Sequence, residues 1–384
     1  MGNNSEWWDP SSQELKELLK RHEHWVKSEY QKGQRADLSG ANLQDVDLPK
    51  VELAGAILKG AHLGGANLSN AHLRGAYLQA ALLMEADLSG AVLQGARLQR
   101  ATLTGADLRG ANLTNADLAE TIGLQVPDIA RTNTSNAKLP EDVSRFEGLN
   151  VLEEATKNAR KLFISMGLVC LYAVLAISTE SATERFLELP IIGIEMEVWK
   201  FFYVVPILLA LEFGYFHLQL QRVWEEMANL PAIFPDGKGI DQKHPWLVTG
   251  IARAYIPYIR DEQPQYFRLQ WLAVFGLAWF SVPATQAYFV VQFIRCYQEE
   301  VLQSGLGTAL VALTLGGAIH AYWSAASTLR GESHFLWPFS EGDKNGQEGA
   351  PSHWTGTGVA MWIIISFLLC LAAWFGALIW FDAL

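Results

Sequence analysis

Leucine stands at every fifth position from Leu38 to Leu118 without a break, and nothing else in the chain limits its fold so strongly. Ala lies two residues before each of these leucines, except at Val46 and Val51. Helices bury residues at a period of 3.6 and strands at 2, so a period of five fits neither. It fits a square coil in which each side takes one pentapeptide. Leucine fills the axis, the small alanine lines the crowded wall, and the other three positions face out.

Residues twenty apart then stack on one face. The outward columns read Asp37-Ile57-Tyr77-Arg97-Asp117, Asn42-His62-Leu82-Thr102, Asp47-Asn67-Asp87-Asp107 and Glu52-His72-Val92-Asn112. His62 and His72 fall on opposite faces and cannot share a metal. Asp87 over Asp107 reads as a solvated acidic face, so no metal site and no cofactor is expected.

The unit A-(D/N/x)-L-x-x over 36–120 resembles the pentapeptide-repeat family. The resemblance implies a right-handed quadrilateral β-helix with four pentapeptides per coil. At a strand spacing of about 4.8 Å, four coils would stand about 20 Å tall. Some relatives of that fold mimic DNA, but 36–120 is only mildly acidic and the whole chain has net charge −11, so no nucleic-acid partner is expected.

Repeat towers expose apolar ends and need caps. Ser11 with Glu14 forms a capping box, and Leu15, Leu18, Leu19, His22, Trp25 and Val26 recur on one helical face. Residues 1–35 are therefore expected to hold an amphipathic capping helix, and 121–161 a lower cap and linker helix.

The rest of the chain, 162–384, reads as an integral membrane domain. Its apolar runs are 162–179, 201–220, 269–294, 306–329 and 358–381. About 20 apolar residues cross a bilayer as a helix, so an α-helical transmembrane bundle of about five spans is expected. A short first run and Glu212 in the second leave four as the other count. Segments of 158–247, such as LPIIGIE and LPAIFPDG, resemble the membrane region of certain bacterial pentapeptide-repeat proteins, over about 140–330. Lys and Arg gather in 157–161 and 221–268, whereas 180–197 has one Arg and five Glu. This places the N-terminal domain in the cytoplasm of a bacterial inner membrane and the C-terminus outside. A helix lying on the membrane is expected near 245–259.

Glu212 and His320 stand inside spans, where ionisable groups are costly and usually paired. A Glu212–His320 pair is expected, holding helices together or lining a path. His217, near a span end, is expected to face the interface. Outward apolar residues Ile57, Tyr77, Leu82 and Met84 suggest a contact patch for a protein partner or a second copy of the chain. Cys170, Cys296 and Cys370 lie in or beside apolar runs without metal-ligand spacing. No GxxxxGK, GxSxG, HExxH or HRD motif is present, so no enzyme is expected.

The main expectation is a membrane-anchored pentapeptide-repeat scaffold that presents a rigid cytoplasmic β-helix for protein–protein interaction. The alternative is a channel, transporter or membrane-disrupting effector that uses the bundle, with the repeat domain as sensor or gate.

Overall fold

The computed structural model describes residues 10–178, 186–188, 195–243, 245–246, 253–256, 258–259, 267–296 and 301–330. The expected run 358–381 and Cys370 lie outside them, as do 247–252 and 257 of the expected surface helix near 245–259. The chain forms two compact units, Met1–Leu152 with Glu225–Gln263, and Glu153–Trp224 with Pro264–Leu384.

In the first unit, 36–138 winds as stacked four-sided coils. Asp37 bridges Ile57, Ile57 bridges Tyr77, and Tyr77 bridges Arg97, all parallel, and the other three columns stack in the same way. Between successive coils, Leu38 N–H donates to Ile57 C=O at 2.7 Å and Ile57 N–H to Ala36 C=O at 3.0 Å. The axis is filled by leucines such as Leu58, Leu68 and Leu78, all at 0% exposure. Each fully buried leucine contributes about 1.5–3 kcal/mol of transfer free energy.

The expected strand-built β-helix needs correction. Among the described residues, 36–138 contains no β-strand, and each β-type pairing between coils is a bridge of one residue pair. The cause is the period itself. Ala and Leu point inward around one pairing residue, and the next two residues turn the corner. The corner closes through bonds such as Ala41 N–H to Leu38 C=O at 3.1 Å, often with a left-handed residue such as Asn70. No side is long enough for a ladder. The strands described are β1 (Phe186–Glu188) and β2 (Glu195–Glu197), an antiparallel pair in the second unit. The other regular elements are mostly α-helices.

Helix α1 (Ser12–Lys27) begins at a complete capping box between Ser11 and Glu14. It buries Leu15 and His22, and His22 Nδ1 accepts the Ala36 N–H at 3.1 Å. The first coil thus finds a partner for an edge amide that would otherwise be orphaned. Two short helices follow the coils, α2 (Glu141–Ser144) and the start of α3 (Gly148–Ser178). The opposite end of the stack is covered from far along the chain. Arg131 N–H donates to Leu230 C=O at 2.7 Å, Thr134 N–H to Ile233 C=O at 2.9 Å and Asn136 N–H to Pro235 C=O at 3.0 Å. Phe146 packs edge-on against Phe234. Beyond this segment come α5 (Ile240–Lys243) and the Asp241–Arg253 ion pair.

The second unit is helical: most of α3, α4 (Val198–Ala228), α6 (Phe267–Phe275), α7 (Ser281–Cys296) and α8 (Val301–Arg330). One π-helical turn, Gly276–Phe280, joins α6 to α7. Helix α3 buries Ala159, Met166, Cys170, Ala173 and Ala176 along one stripe and exposes Ile164, Leu168, Leu171 and Leu175 along another. Helix α4 buries Leu209, Phe213, Phe216 and Leu220 and exposes Leu208, Leu211 and Leu218. Helices α7 and α8 approach so closely that a Cβ on Gly307 would lie 2.8 Å from Val290 Cγ2. Four stretches are long and apolar enough to cross a membrane: Glu141–Ile177, Lys200–Ala228, Leu272–Phe293 and Gly307–Arg330. Among the described residues this makes four spans where about five were expected.

Candidate functional site

A row of polar side chains runs through the interior of the second unit. At one level Gln286 of α7, 1% exposed, donates from Nε2 to Pro206 C=O of α4 at 3.0 Å. Its Oε1 lies 2.7 Å from Thr314 Oγ1 of α8. One helical step along α7, Thr285 is buried beside the Cys170 thiol of α3, with Glu212 of α4 also acting on that thiol. Further along α4 stands His217, and beyond it Gln221 donates to Thr328 Oγ1 of α8 at 3.1 Å. From Pro206 to Gln221 an α-helix rises about 22 Å, most of the thickness of a hydrocarbon core.

His217 is the most telling member of the row. It is 8% exposed and surrounded by aromatic rings, with Phe213 at 4.4 Å, Phe216 at 5.1 Å and Trp279 at 5.7 Å between centroids. Neither of its ring nitrogens has a hydrogen-bond partner among the described residues, and nor do Trp279 Nε1 or Ser281 Oγ. A buried polar group without a partner costs about 1–3 kcal/mol, so these side chains are an expensive arrangement for an interior. Trp279 sits in the π-helical turn, whose extra residue shifts the register between α6 and α7. Such turns recur at functional sites.

The expected interfacial position of His217 is therefore corrected: its helix turns it inward on the stripe of Leu209, Phe213, Phe216 and Leu220. The flanking Phe213 and Phe216 were the available signal. Gln286 and Thr314 interrupt apolar runs, but as uncharged residues they give only a weak signal in the sequence. Glu212 and His320 are both half-buried. Among the described residues, no group of three or more His, Cys, Asp or Glu side chains is placed to hold a metal ion.

The four residues of the expected contact patch are spread over two neighbouring columns and a corner. Ile57 and Tyr77 bridge each other in one column, and Leu82 lies between His62 and Thr102 in the next. Met84 is 40% exposed, the other three are half-buried, and Tyr77 is flanked by cations. The reading of the chain as a β-helical docking scaffold falls for the same reason as the β-helix itself. Its faces were to be rigid sheets, and 36–138 has no strands to make them.

The family model for pentapeptide repeats matches 36–75 and 81–119 in 8 copies. No curated protein matches the chain. Among solved structures, the pentapeptide repeat protein Rfr23 from the cyanobacterium Cyanothece 51142 is 35% identical over 29% of this chain and 68% of its own, with TM-score 0.24. A pentapeptide repeat protein from Nostoc Pcc 7120 is 30% identical over 36% of this chain and 90% of its own, with TM-score 0.15. One from the Arabidopsis thaliana thylakoid lumen is 26% identical over 27% and 76%, with TM-score 0.22. Through its repeat segment, the chain belongs to the pentapeptide-repeat family.

Proposed function

We propose that the helical unit is the working part of the protein and that it passes an ion or small polar solute across a bacterial inner membrane. One observation carries this reading: the row Gln286–Thr314, Thr285, Glu212, His217 and Gln221–Thr328 lies inside helices whose outer faces are leucine and isoleucine. Polar groups in such a bundle face its interior and mark conduction or substrate routes. The outward leucines meet lipid, since a soluble protein does not leave rows of them open to water.

The distribution of Lys and Arg favours a cytoplasmic repeat unit. In this reading the repeat coils are the sensor or gate of the bundle, not a docking platform.

Reconstitution tests it. Proteoliposomes loaded with a pH-sensitive or ion-sensitive dye should show flux with wild type. That flux should be lost in Glu212→Gln and His217→Phe, with the protein still folded and inserted. Wild-type flux no greater than that of empty liposomes for protons, K⁺, Na⁺ and Cl⁻ would refute ion conduction. Flux unchanged in both variants would remove the row from the path.

A further inference from the structure

In the first unit a groove of about 530 Å³ opens beside α1, lined by Trp25, Tyr30, Arg35, Arg74 and Tyr77, with Gly55 and Gly75 in its floor. We propose that it binds a phosphorylated small molecule with a planar ring, of the nucleotide class. The site is separate from the bundle and does not rest on the function proposed for it.

Cations converge here, and none of them is held in a close ion pair among the described residues. The Arg35 guanidinium lies 4.7 Å from the Tyr77 ring centroid, that of Arg97 4.8 Å and the Lys59 ammonium 5.6 Å. Arg74 lines the same groove. Arg35 uses one donor, on Gly55 C=O at 2.6 Å. Arg74 and Arg97 make no side-chain hydrogen bond among the described residues, so their planar forks are unspent and suited to phosphate oxygens. The two carboxylates of that column are engaged elsewhere: Asp117, next to Arg97, accepts from Lys138 at 3.3 Å, and Asp37 accepts from the Ser39 hydroxyl at 2.6 Å and its amide at 3.1 Å. The Ser39 bonds, helped by Arg35 and Lys59, hold Asp37 below the usual carboxylate range.

Aromatic surface stands next to these cations. Trp25 and Tyr30 pack with centroids 4.6 Å apart. Tyr30 is 60% exposed, and its left-handed backbone, φ 70°, sets the ring at the mouth of the groove. A purely anionic ligand would need the cations and not the rings. A ring with phosphates attached uses both, and the volume suits a ligand of that size.

The floor is kept clear of side chains. Gly55, Gly75 and Gly95 stack in successive coils at a left-handed corner position. The fold does not require glycine there, because Asn115 takes the same corner two coils beyond Gly75 with φ 58°. A Cβ on Gly75 would meet nothing within 4 Å. Gly75→Asn therefore fills the groove and leaves the coil intact.

Titration calorimetry of the full chain in detergent, at low salt, would compare ADP, pyrophosphate and adenosine. ADP should bind saturably and at least about tenfold more tightly than either part alone. Arg74→Gln/Arg97→Gln should weaken ADP by about tenfold or more, a loss of about 1.4 kcal/mol. Gly75→Asn should abolish binding while the chain stays folded, with melting lowered only by the small strain of Asn at a left-handed corner, as Asn115 already bears. No saturable binding of ADP to folded wild type would overturn the proposal. So would ADP affinity unchanged in both variants, or pyrophosphate binding as tightly as ADP.

Discussion

Thr314 Oγ1 of α8 lies 2.7 Å from Gln286 Oε1 of α7, and both side chains are almost wholly buried. The same hydroxyl is 2.9 Å from Val311 C=O and 3.0 Å from Leu310 C=O of its own helix. Its single proton has three acceptors, so the link between helices competes with a bond inside one helix. Gln286 meanwhile donates to Pro206 C=O and ties in a third helix.

That competition sets the size of the first prediction. Helix–helix hydrogen bonds in membranes average about 0.6 kcal/mol and reach about 1.7 kcal/mol. A double-mutant cycle of Gln286→Leu and Thr314→Val, read by unfolding in mixed micelles, should give a coupling near the lower figure. A coupling above about 2 kcal/mol would mean that the hydroxyl proton is committed to Gln286.

The outer faces of the helices give the second. Leu211 is 67% and Leu168 62% exposed, each in the apolar stripe of its own helix. An Arg at the centre of a span costs about 2.5–3.5 kcal/mol on insertion scales. Leu211→Arg should therefore reduce the apparent insertion constant in a translocon assay by about fifty-fold or more. Gln221→Arg, near the end of α4, should reduce it far less. Equal insertion of both would show that this face of α4 does not meet lipid.

His22 supplies a pH dependence. It is fully buried, and burial holds its imidazole below the usual histidine range; Glu52 opposes this and Arg35 adds to it. The folded state thus favours neutral His22, with Nδ1 accepting from Ala36 N–H. Above the unfolded value of about 6.5 this contribution to stability is complete. It is lost as pH falls from there through the lower folded value, because the unfolded chain binds the proton first. Hydrogen-exchange protection of the Ala36 amide, corrected for intrinsic rates, should fall from pH 7.5 to 5. In His22→Gln, which can still accept the amide, it should stay flat over that range.

The repeat segment was legible in one respect and not in another. The stacking of Asp37, Ile57, Tyr77 and Arg97 follows from counting by twenty, because an unbroken leucine period leaves no freedom of register. The strand character does not follow, because one pairing residue per side makes a bridge and no ladder. The cover of the last coil was hidden by distance along the chain: Thr134 Oγ1 donates to Ile233 C=O, 99 residues away. No local pattern around LPAIFPDG announces that partner. The place of His217 near a span end points to the interface, but it shares the buried stripe of Phe213 and Phe216 and faces inward. Neutral Gln286 and Thr314 gave no charge signal, yet they knit the interior.

The corners of the coil allow a last prediction, in which two substitutions of opposite kind move stability in opposite directions. Ala80 occupies a left-handed corner with φ 54°, where an L side chain costs about 1–2 kcal/mol. Glycine removes that cost but loses more entropy on folding, which offsets about 0.5–1 kcal/mol. Ala80→Gly should therefore stabilise the coil by about 0.5–1 kcal/mol. Gly123 is the contrary case. It also has positive φ, 81°, and a Cβ there would lie 2.8 Å from Thr104 Cα and 2.0 Å from Thr104 Oγ1. The neighbouring backbone cannot yield as a flexible side-chain tip would, so Gly123→Ala adds a clash to the strain and should cost about 2 kcal/mol or more. Urea unfolding followed by far-UV dichroism of the full chain would rank Ala80→Gly above wild type and Gly123→Ala below it. The reverse order would show that corner strain does not govern the stability of these coils.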